Sequence, residues 1–161
     1  MPVVSNSSPL ILYAKIGRLD LLRQAFRRVL IPTAVRDEVL ADGEGRPGTA
    51  EIAAAPWIEL RVLATPGTAQ ALMDELDRGE AEAIALALEL GTQFPLLIDD
   101  RKARRSARAR GVSVFGSAGV LVRAKHDGAI SLVRPILNEL RAAGLFLTDT
   151  VYDEALALAG E

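Results

Sequence analysis

Short apolar runs alternate along the chain with longer stretches whose hydrophobic residues recur at helical spacing. Residues 2–5 and 29–31 predict short buried strands, and residues 95–98 predict a strand with no polar face. A strand without a polar face is typical of a parallel sheet that is covered on both sides. Residues 57–63 alternate in polarity and predict an edge strand, and residues 112–114 predict one further short strand.

The stretches between these runs predict helices. Ser8 is a suitable N-cap, and Pro9 a suitable first residue, for a helix that continues over residues 10–16 and stops at Gly17. Further helices are expected over residues 19–26, 33–40, 68–76 and 80–90, then a basic helix and three helical segments toward residue 161. Because strands and helices alternate, we expect βαβ units and a parallel sheet. A chain of 161 residues suits one α/β domain, residues 1–161.

The composition excludes several kinds of site. The chain has no cysteine and a single histidine, His126, so disulfides, thiol catalysis and multi-histidine metal sites are excluded. A metal held by this chain must therefore be bound through oxygen atoms. The first residues lack a secretory hydrophobic region, and the apolar run 81–90 is too short to span a bilayer. We therefore expect a cytoplasmic protein without a membrane partner.

Oxygen-bearing side chains stand where the predicted strands and helices meet. Asn6 follows the first strand, Glu38 lies on a helix, Glu80 begins another, and Asp99 and Asp100 follow the strand 95–98. Together at one sheet edge, these side chains would form a site for a hard divalent cation such as Mg²⁺. Structural interpretations remain open, because Asn6 can bond turn amides, Glu80 can join a capping box, and Glu38 can be a solvated residue.

The Asp99-Asp100 pair is the most specific of these signals. Two adjacent carboxylates after an apolar strand repel each other unless a cation or an arginine shares them. Capping a helix requires only one of them. The alternative to a cation is neutralisation by a nearby arginine.

A basic segment follows this pair directly. On a helix of 3.6 residues per turn its arginines share one narrow face, opposite Ala103 and Ala107; they are Arg101, Arg104, Arg105 and Arg108. A bound phosphate backbone or the two aspartates could compensate these charges, although a solvated face explains them too. The net charge of −2 argues against a globally basic nucleic-acid binder.

Four pieces of the chain, taken in order, resemble a PIN domain, and most closely a small prokaryotic branch related to the VapC-type toxins. These pieces are residues 3–10, residues 31–35 with Glu38, residues 79–84 and residues 97–101. The resemblance implies a three-layer α/β/α fold and an endoribonuclease dependent on Mg²⁺ or Mn²⁺. It also implies an RNA substrate, a small antitoxin partner and a homodimer.

The family's acidic positions fall on particular residues of this chain. Its first acid falls on Asn6, followed by hydroxyl residues at Ser7 and Ser8; its second falls on Glu38, its third on Glu80, and its last on the Asp99-Asp100 pair. The resemblance thus implies a catalytic set comprising these positions, with metal ligands among Asn6, Glu80, Asp99 and Asp100. RNA binding is expected at Ser8 and the arginine face.

Asn6 departs from the family pattern, which usually has an aspartate there. One alternative is therefore a weakened or inactive PIN-fold binding module. A second alternative, a flavodoxin-like phosphorylation domain, is disfavoured because its acid pair would follow the first strand. The glycine pattern at residues 43–48 matches a dinucleotide-binding formula, but a helix precedes it and Pro47 removes an amide, so we interpret it as a surface loop.

Overall fold

Five parallel strands form the centre of the molecule. The computed structural model describes residues 1–40, 45 and 48–161. The strands of its sheet are β1 (Val3–Ser5), β2 (Val29–Ile31), β3 (Ile58–Leu60), β4 (Leu96–Leu97) and β5 (Val114–Phe115). Their order is β3-β2-β1-β4-β5, and every neighbouring pair is parallel. The predicted parallel sheet is confirmed, and so is the edge position of β3.

Helices cover both faces of this sheet. Those in the described residues are α1 (Ser7–Lys15), α2 (Leu19–Phe26), α3 (Thr33–Leu40), α4 (Thr49–Ala54), α5 (Pro66–Leu72), α6 (Arg78–Leu90), α7 (Arg101–Ala109), α8 (Ser117–His126), α9 (Arg134–Ala143) and α10 (Asp149–Leu158). None of them combines the length and the apolar character needed to cross a bilayer. The three predicted segments after residue 115 are confirmed as α8, α9 and α10.

Alternation along each strand divides the core into two layers. Val3 and Leu97 point into a cluster built with α1, α2, α8, α9 and α10, whereas Val4 and Leu96 point into a cluster built with α5, α6 and α7. Successive side chains of a strand face opposite sides of the sheet. A strand with no polar face therefore places apolar side chains in both layers of the core. The expected three-layer α/β/α architecture is confirmed.

The start of α1 differs from the prediction. Asn6, rather than Ser8, is the N-cap residue, and Ser7 is already helical. The reason lies in the sheet, because Asn6 N donates to Leu97 O over 3.0 Å and holds Asn6 in the extended region, with φ −76° and ψ 170°. The helix therefore begins directly after the last ladder bond. Pro9 becomes its third residue, where its missing N–H still has no intrahelical acceptor to lose.

The limits of other elements also differ from the predicted ones. α5 begins at Pro66 and ends at Leu72, two and four residues before the predicted limits. β5 lies at Val114–Phe115 because Val114 is in register with Leu96 of β4, and pairing rather than local propensity sets that register. The short alanine-rich helix α4 was missed. The predicted loop at 43–48 lies outside the described residues except for Gly45 and Gly48.

A buried tyrosine joins α1 to α8. Tyr13 is fully buried, and its hydroxyl donates to the main-chain oxygen of Ser117 over 2.7 Å. Burial raises the pKa of Tyr13 well above its ordinary value, and the negative charge of Asp99 adds to that effect. The hydroxyl therefore stays protonated and fixes the first turn of α8 against α1.

Replacing Tyr13 by Phe should lower the free energy of unfolding by about 1 kcal/mol, because the Ser117 oxygen loses a buried donor. Urea unfolding at pH 7 measures the change. Tyr152→Phe is the matched control, since its hydroxyl bonds Asn138 at an exposed position and should change stability by less than about 0.5 kcal/mol. Equal losses in the two variants would contradict the buried role of Tyr13.

Candidate functional site

Two neighbouring strands deliver polar residues to the same edge of the sheet. Ser5 of β1 is in register with Leu97 of β4, so Asn6 and Asp99 follow strands that end side by side. In open parallel sheets this carboxyl edge is where ligands bind. The structure thus brings the predicted site residue Asn6 and the Asp99-Asp100 pair to one edge of the sheet.

Asn6 carries an unpaired oxygen at this edge. The residue is 6% exposed, its side chain makes no capping bond, and Asn6 Oδ1 has no hydrogen-bond partner in the described part of the chain. The interpretation of Asn6 as a residue that satisfies turn amides is therefore wrong. Leaving such an oxygen buried and unpaired costs about 1–3 kcal/mol. A cation is one partner that would remove this cost.

Glu38 packs against the first turn of α6. Its carboxylate accepts a hydrogen bond from Ser7 Oγ over 2.5 Å, which links α3 to the start of α1. A Cβ atom at Gly79 would collide with Glu38 Oε1. Glycine at this position therefore permits the close approach of the carboxylate to the backbone of α6.

Glu80 lies at the start of α6 with other carboxylates nearby. The predicted capping box is present, because Glu80 N donates to Asp77 Oδ1 over 2.8 Å and Asp77 N donates to Glu80 Oε2 over 3.3 Å. Burial, followed by the charges of Asp77, Asp100 and Glu38, raises the pKa of Glu80 to about 7, against the opposing hydrogen bond from Asp77. Glu38 and Asp100 thus act on Glu80 from other elements.

The adjacent aspartates point to different helices. Asp100 is the N-cap of α7, and its Oδ1 accepts from Ala103 N over 2.8 Å. Asp99 Oδ1 accepts from Ser117 N over 2.7 Å, and its Oδ2 accepts from Ser117 Oγ over 2.5 Å, at the start of α8. As predicted, only one of the two acids caps α7, and the other, Asp99, accepts from the first residue of α8 instead. Burial raises the pKa of Asp99, although the Ser117 bonds and Arg104 oppose this.

These acids form a negative region rather than a closed cage. No group of three or more acidic or histidine side chains in residues 1–40, 45 and 48–161 is close enough to hold one metal ion. Charges act over about 10 Å, whereas coordination bonds are about 2.0–2.6 Å long. Neighbouring acids can therefore raise the pKa of Glu80 without lying close enough to bind one ion together with it. The donors nonetheless suit a hard cation, since Asn6 Oδ1 has no hydrogen-bond partner in the described residues and the charges of neighbouring carboxylates act on Glu80.

The basic helix presents the predicted face. Ala103 and Ala107 are fully buried, whereas the exposed arginines are Arg101, Arg105 and Arg108. Arg104 differs, because it is half-buried and its Nη1 donates to Ile98 O over 2.9 Å. Burial, together with the charge of Arg108, lowers the pKa of Arg104, and Asp99 opposes the change. Ser8, the second residue of α1, is exposed.

Several residues that shape the site were not predicted. Gly79 and Ser117 matter only through partners from distant elements, and no local pattern marks them. Glu82 is buried, and its carboxylate accepts from Ala34 N over 3.1 Å and from Arg78 Nε over 2.8 Å, so α6 caps α3 and helps to orient it. An acid within the otherwise apolar run 81–88 was the available signal.

Comparison with known proteins agrees with this architecture. The family model DUF3368, described as a PIN domain, matches residues 2–161. The fold is similar to that of a PilT N-terminus domain protein from the archaeon Sulfolobus solfataricus P2, with a TM-score of 0.55 and 18% identity over 74% of this chain and 90% of that one. No curated protein matches the chain significantly. The extent of the family match shows that the chain belongs to the PIN domain family.

Proposed function

We propose that this chain is a metal-dependent endoribonuclease that hydrolyses RNA phosphodiester bonds. PIN domains are typically metal-dependent nucleases. The observation that supports the proposal best is the buried, unpaired Asn6 Oδ1, which lies at the same sheet edge as the carboxylates. An unpaired oxygen beside mutually repelling acids is the arrangement that a bound divalent cation would stabilise.

The proposed cation ligands are Asn6, Glu80 and one or both of Asp99 and Asp100, with Glu38 beside them. When bound, Mg²⁺ or Mn²⁺ would supply the positive charge that stabilises phosphodiester hydrolysis. Ser7 holds the Glu38 carboxylate through its hydroxyl, and Asp77 holds the main chain of Glu80. The chain thus orients its donors by hydrogen bonds that do not involve Asn6 Oδ1.

The arginine face of α7 would position the RNA. Its exposed guanidinium groups follow Asp100 directly along the chain, so a phosphate backbone lying on α7 would pass beside the acids. Such contacts fix the register of a nucleic acid without reading its sequence. Exposed Ser8, at the start of α1, is a further candidate contact.

The main test is cleavage of single-stranded RNA in Mn²⁺, with and without EDTA. Glu80→Gln should reduce the rate at least about 100-fold, because it removes a charge where the cation is held. Gln retains an oxygen for the capping box, and Glu75→Gln, at an exposed position, is the control. Full Mn²⁺-dependent cleavage by Glu80→Gln would exclude this residue as a ligand.

Glu80 also predicts a pH dependence. Protons compete with the cation below a pKa of about 7, so Mn²⁺ affinity should rise as the pH increases through 7. Because folding raises this pKa from 4.5, the wild type should lose stability relative to Glu80→Gln as the pH rises from 4.5 to about 7. Calorimetric Mn²⁺ titrations and thermal melts at several pH values measure the two effects.

A second candidate function is an inactive RNA- or protein-binding module on the same fold. Asn6 favours it, since a neutral amide holds a divalent cation more weakly than a carboxylate.

Asn6→Asp distinguishes the two functions. The added carboxylate should tighten Mn²⁺ binding by about tenfold and lower stability without metal, because it joins the other acids of the site. Tight Mn²⁺ binding and cleavage only in Asn6→Asp would favour the inactive module. Activity in the wild type would favour the nuclease.

Charge reversal on α7 tests the proposed RNA face. Arg105→Glu with Arg108→Glu should weaken RNA binding at least about tenfold and reduce its salt dependence, since two phosphate contacts are lost. Arg23→Glu on α2, which packs against α8 and α1, is the control. Equal losses in both proteins would indicate a general charge effect instead.

We further propose a toxin role with an antitoxin partner and a homodimer. The apolar residues 145–147 and the helical residues 151–158 are candidates either for dimer contacts or for the monomer core. Leu145 and Leu156 are buried in the core, whereas Phe146 and Leu158 are 86% and 77% exposed. The exposed pair is thus available to a partner.

A further inference from the structure

We infer that Glu82 is a positioning residue for the proposed metal site: its carboxylate ties the first turn of α3 to α6 and thereby fixes Glu38, on α3, relative to Glu80, on α6. The inference rests on the proposed function and deepens it. It is carried by the burial and the hydrogen bonds of Glu82 and by the two places at which α3 and α6 meet.

Glu82 is a buried carboxylate within the apolar part of α6. The residue is 7% exposed, and its neighbours Ala81 and Ala83 are fully buried. Removing a carboxylate from water is unfavourable unless it is hydrogen-bonded. Glu82 Oε1 accepts from Ala34 N over 3.1 Å, and Glu82 Oε2 accepts from Arg78 Nε over 2.8 Å. Both oxygens of this acid are therefore bonded to protein groups, and one of them reaches a different helix.

Helix α3 depends on this carboxylate for a cap. Pro32 precedes Thr33, the first residue of the helix. A helix leaves its first amides without an intrahelical acceptor, and a proline side chain has no atom that can accept from them. Glu82 supplies an acceptor to Ala34 N, at a helix end where a carboxylate is also favoured by the helix dipole. Separating α3 from α6 would leave this buried amide without its partner.

The second contact between the two helices is at Glu38. This residue is four positions after Ala34, one helical turn further along the same face of α3. Its carboxylate lies against α6 at Gly79, with no room for a side chain between them, and it accepts from Ser7 Oγ. Gly79 directly precedes Glu80. The contacts at Ala34 and at Glu38 together therefore set where Glu38 stands relative to Glu80.

Electrostatic repulsion acts against this arrangement. Burial is the main cause of the raised pKa of Glu80, and the charge of Glu38 is one of the smaller causes. Since like charges repel, the two acids tend to separate α3 from α6 while no cation is bound. The bond from Ala34 N to Glu82 opposes that separation. A site for Mg²⁺ or Mn²⁺ requires this support, because its oxygens must stand within narrow limits of distance from the ion.

Replacements at Glu82 and Glu89 test this role. Glu82→Gln and Glu82→Met both remove the charge, but only Gln keeps an oxygen that can accept from Ala34 N. Glu89 is the matched control, because it lies on the same helix and accepts from the main-chain amides of Ala64 and Thr65 instead of from α3. Calorimetry at pH 8 measures Mn²⁺ affinity, and RNA cleavage gives kcat and KM. Urea unfolding checks that each variant is folded.

Glu82→Met should weaken Mn²⁺ binding about 10- to 100-fold, the usual effect of losing a group that orients a metal ligand. It should lower kcat and change the KM for RNA by less than about threefold, because the arginine face of α7 stays in place. Glu82→Gln should stay within about threefold of the wild type, and Glu89→Met within about twofold, in Mn²⁺ affinity. A purely structural role would lower stability in Glu82→Met without this selective loss.

Glu82→Asp is the second variant, because it keeps the charge and shortens the reach toward Ala34 N by one methylene group. It should weaken Mn²⁺ binding at least about threefold, and more than Glu82→Gln does. Equal losses in Glu82→Gln and Glu82→Met would overturn the inference, since the charge would then be responsible. A loss that is larger in Glu82→Gln than in Glu82→Asp would overturn it for the same reason.

A double-mutant cycle in EDTA separates this inference from the proposed function. At pH 8, above the pKa of about 7 of Glu80, Glu38→Gln and Glu80→Gln each remove one of two repelling charges, so their effects on the urea midpoint should not add. Glu82→Asp should reduce this coupling at least about twofold. A coupling that is absent, or that Glu82→Asp leaves unchanged, would overturn the inference. A wild type that binds no Mn²⁺ would overturn the proposed metal site, and the cycle would still decide the role of Glu82.

Discussion

The parallel pairing of β1 with β4 is the constraint on which the site depends. The ladder continues to the bond from Asn6 N to Leu97 O, so the chain stays extended up to Asn6 and turns into α1 immediately afterwards. Because of this abrupt change, the Asn6 side chain is buried at the carboxyl edge of the sheet, where no amide of α1 donates to it. The unpaired oxygen follows from the end of the strand, and the aspartates that follow the neighbouring strand β4 leave the sheet at the same edge.

Capping connects the stability of the fold with the charge of the site. Asp77, Asp99, Asp100 and Glu82 each accept from an amide in the first turn of a helix, where carboxylates are favoured by unpaired N–H groups and by the helix dipole. Helices α3, α6 and α7 all begin near the carboxyl edge, so their caps bring negative charge together. Burial, together with this negative charge, raises the pKa of Glu80.

The local patterns predicted the layers better than the site. Apolar strands, the capping box of α6 and the arginine face of α7 each depend on residues within a few positions of one another, and the structure confirmed them. The hydrogen-bond partners of the Asp99-Asp100 pair were harder to predict, because they lie on two helices that begin at different places in the chain. Likewise, no local rule could show that Gly79 leaves room for Glu38.

By itself, the sequence determined the kinds of chemistry that are available. With no cysteine and a single histidine, this chain must rely mainly on oxygen atoms for any metal site with several protein ligands, and its alternating pattern required a covered parallel sheet. Only the tertiary structure decided which side-chain oxygens accept hydrogen bonds and which do not. Ser117 donates a hydrogen bond to Asp99, and Ser7 donates one to Glu38. Asn6 Oδ1 has no hydrogen-bond partner in the described residues. The physical reason is that each hydrogen bond joins residues far apart in the chain, and the sheet register alone brings them together.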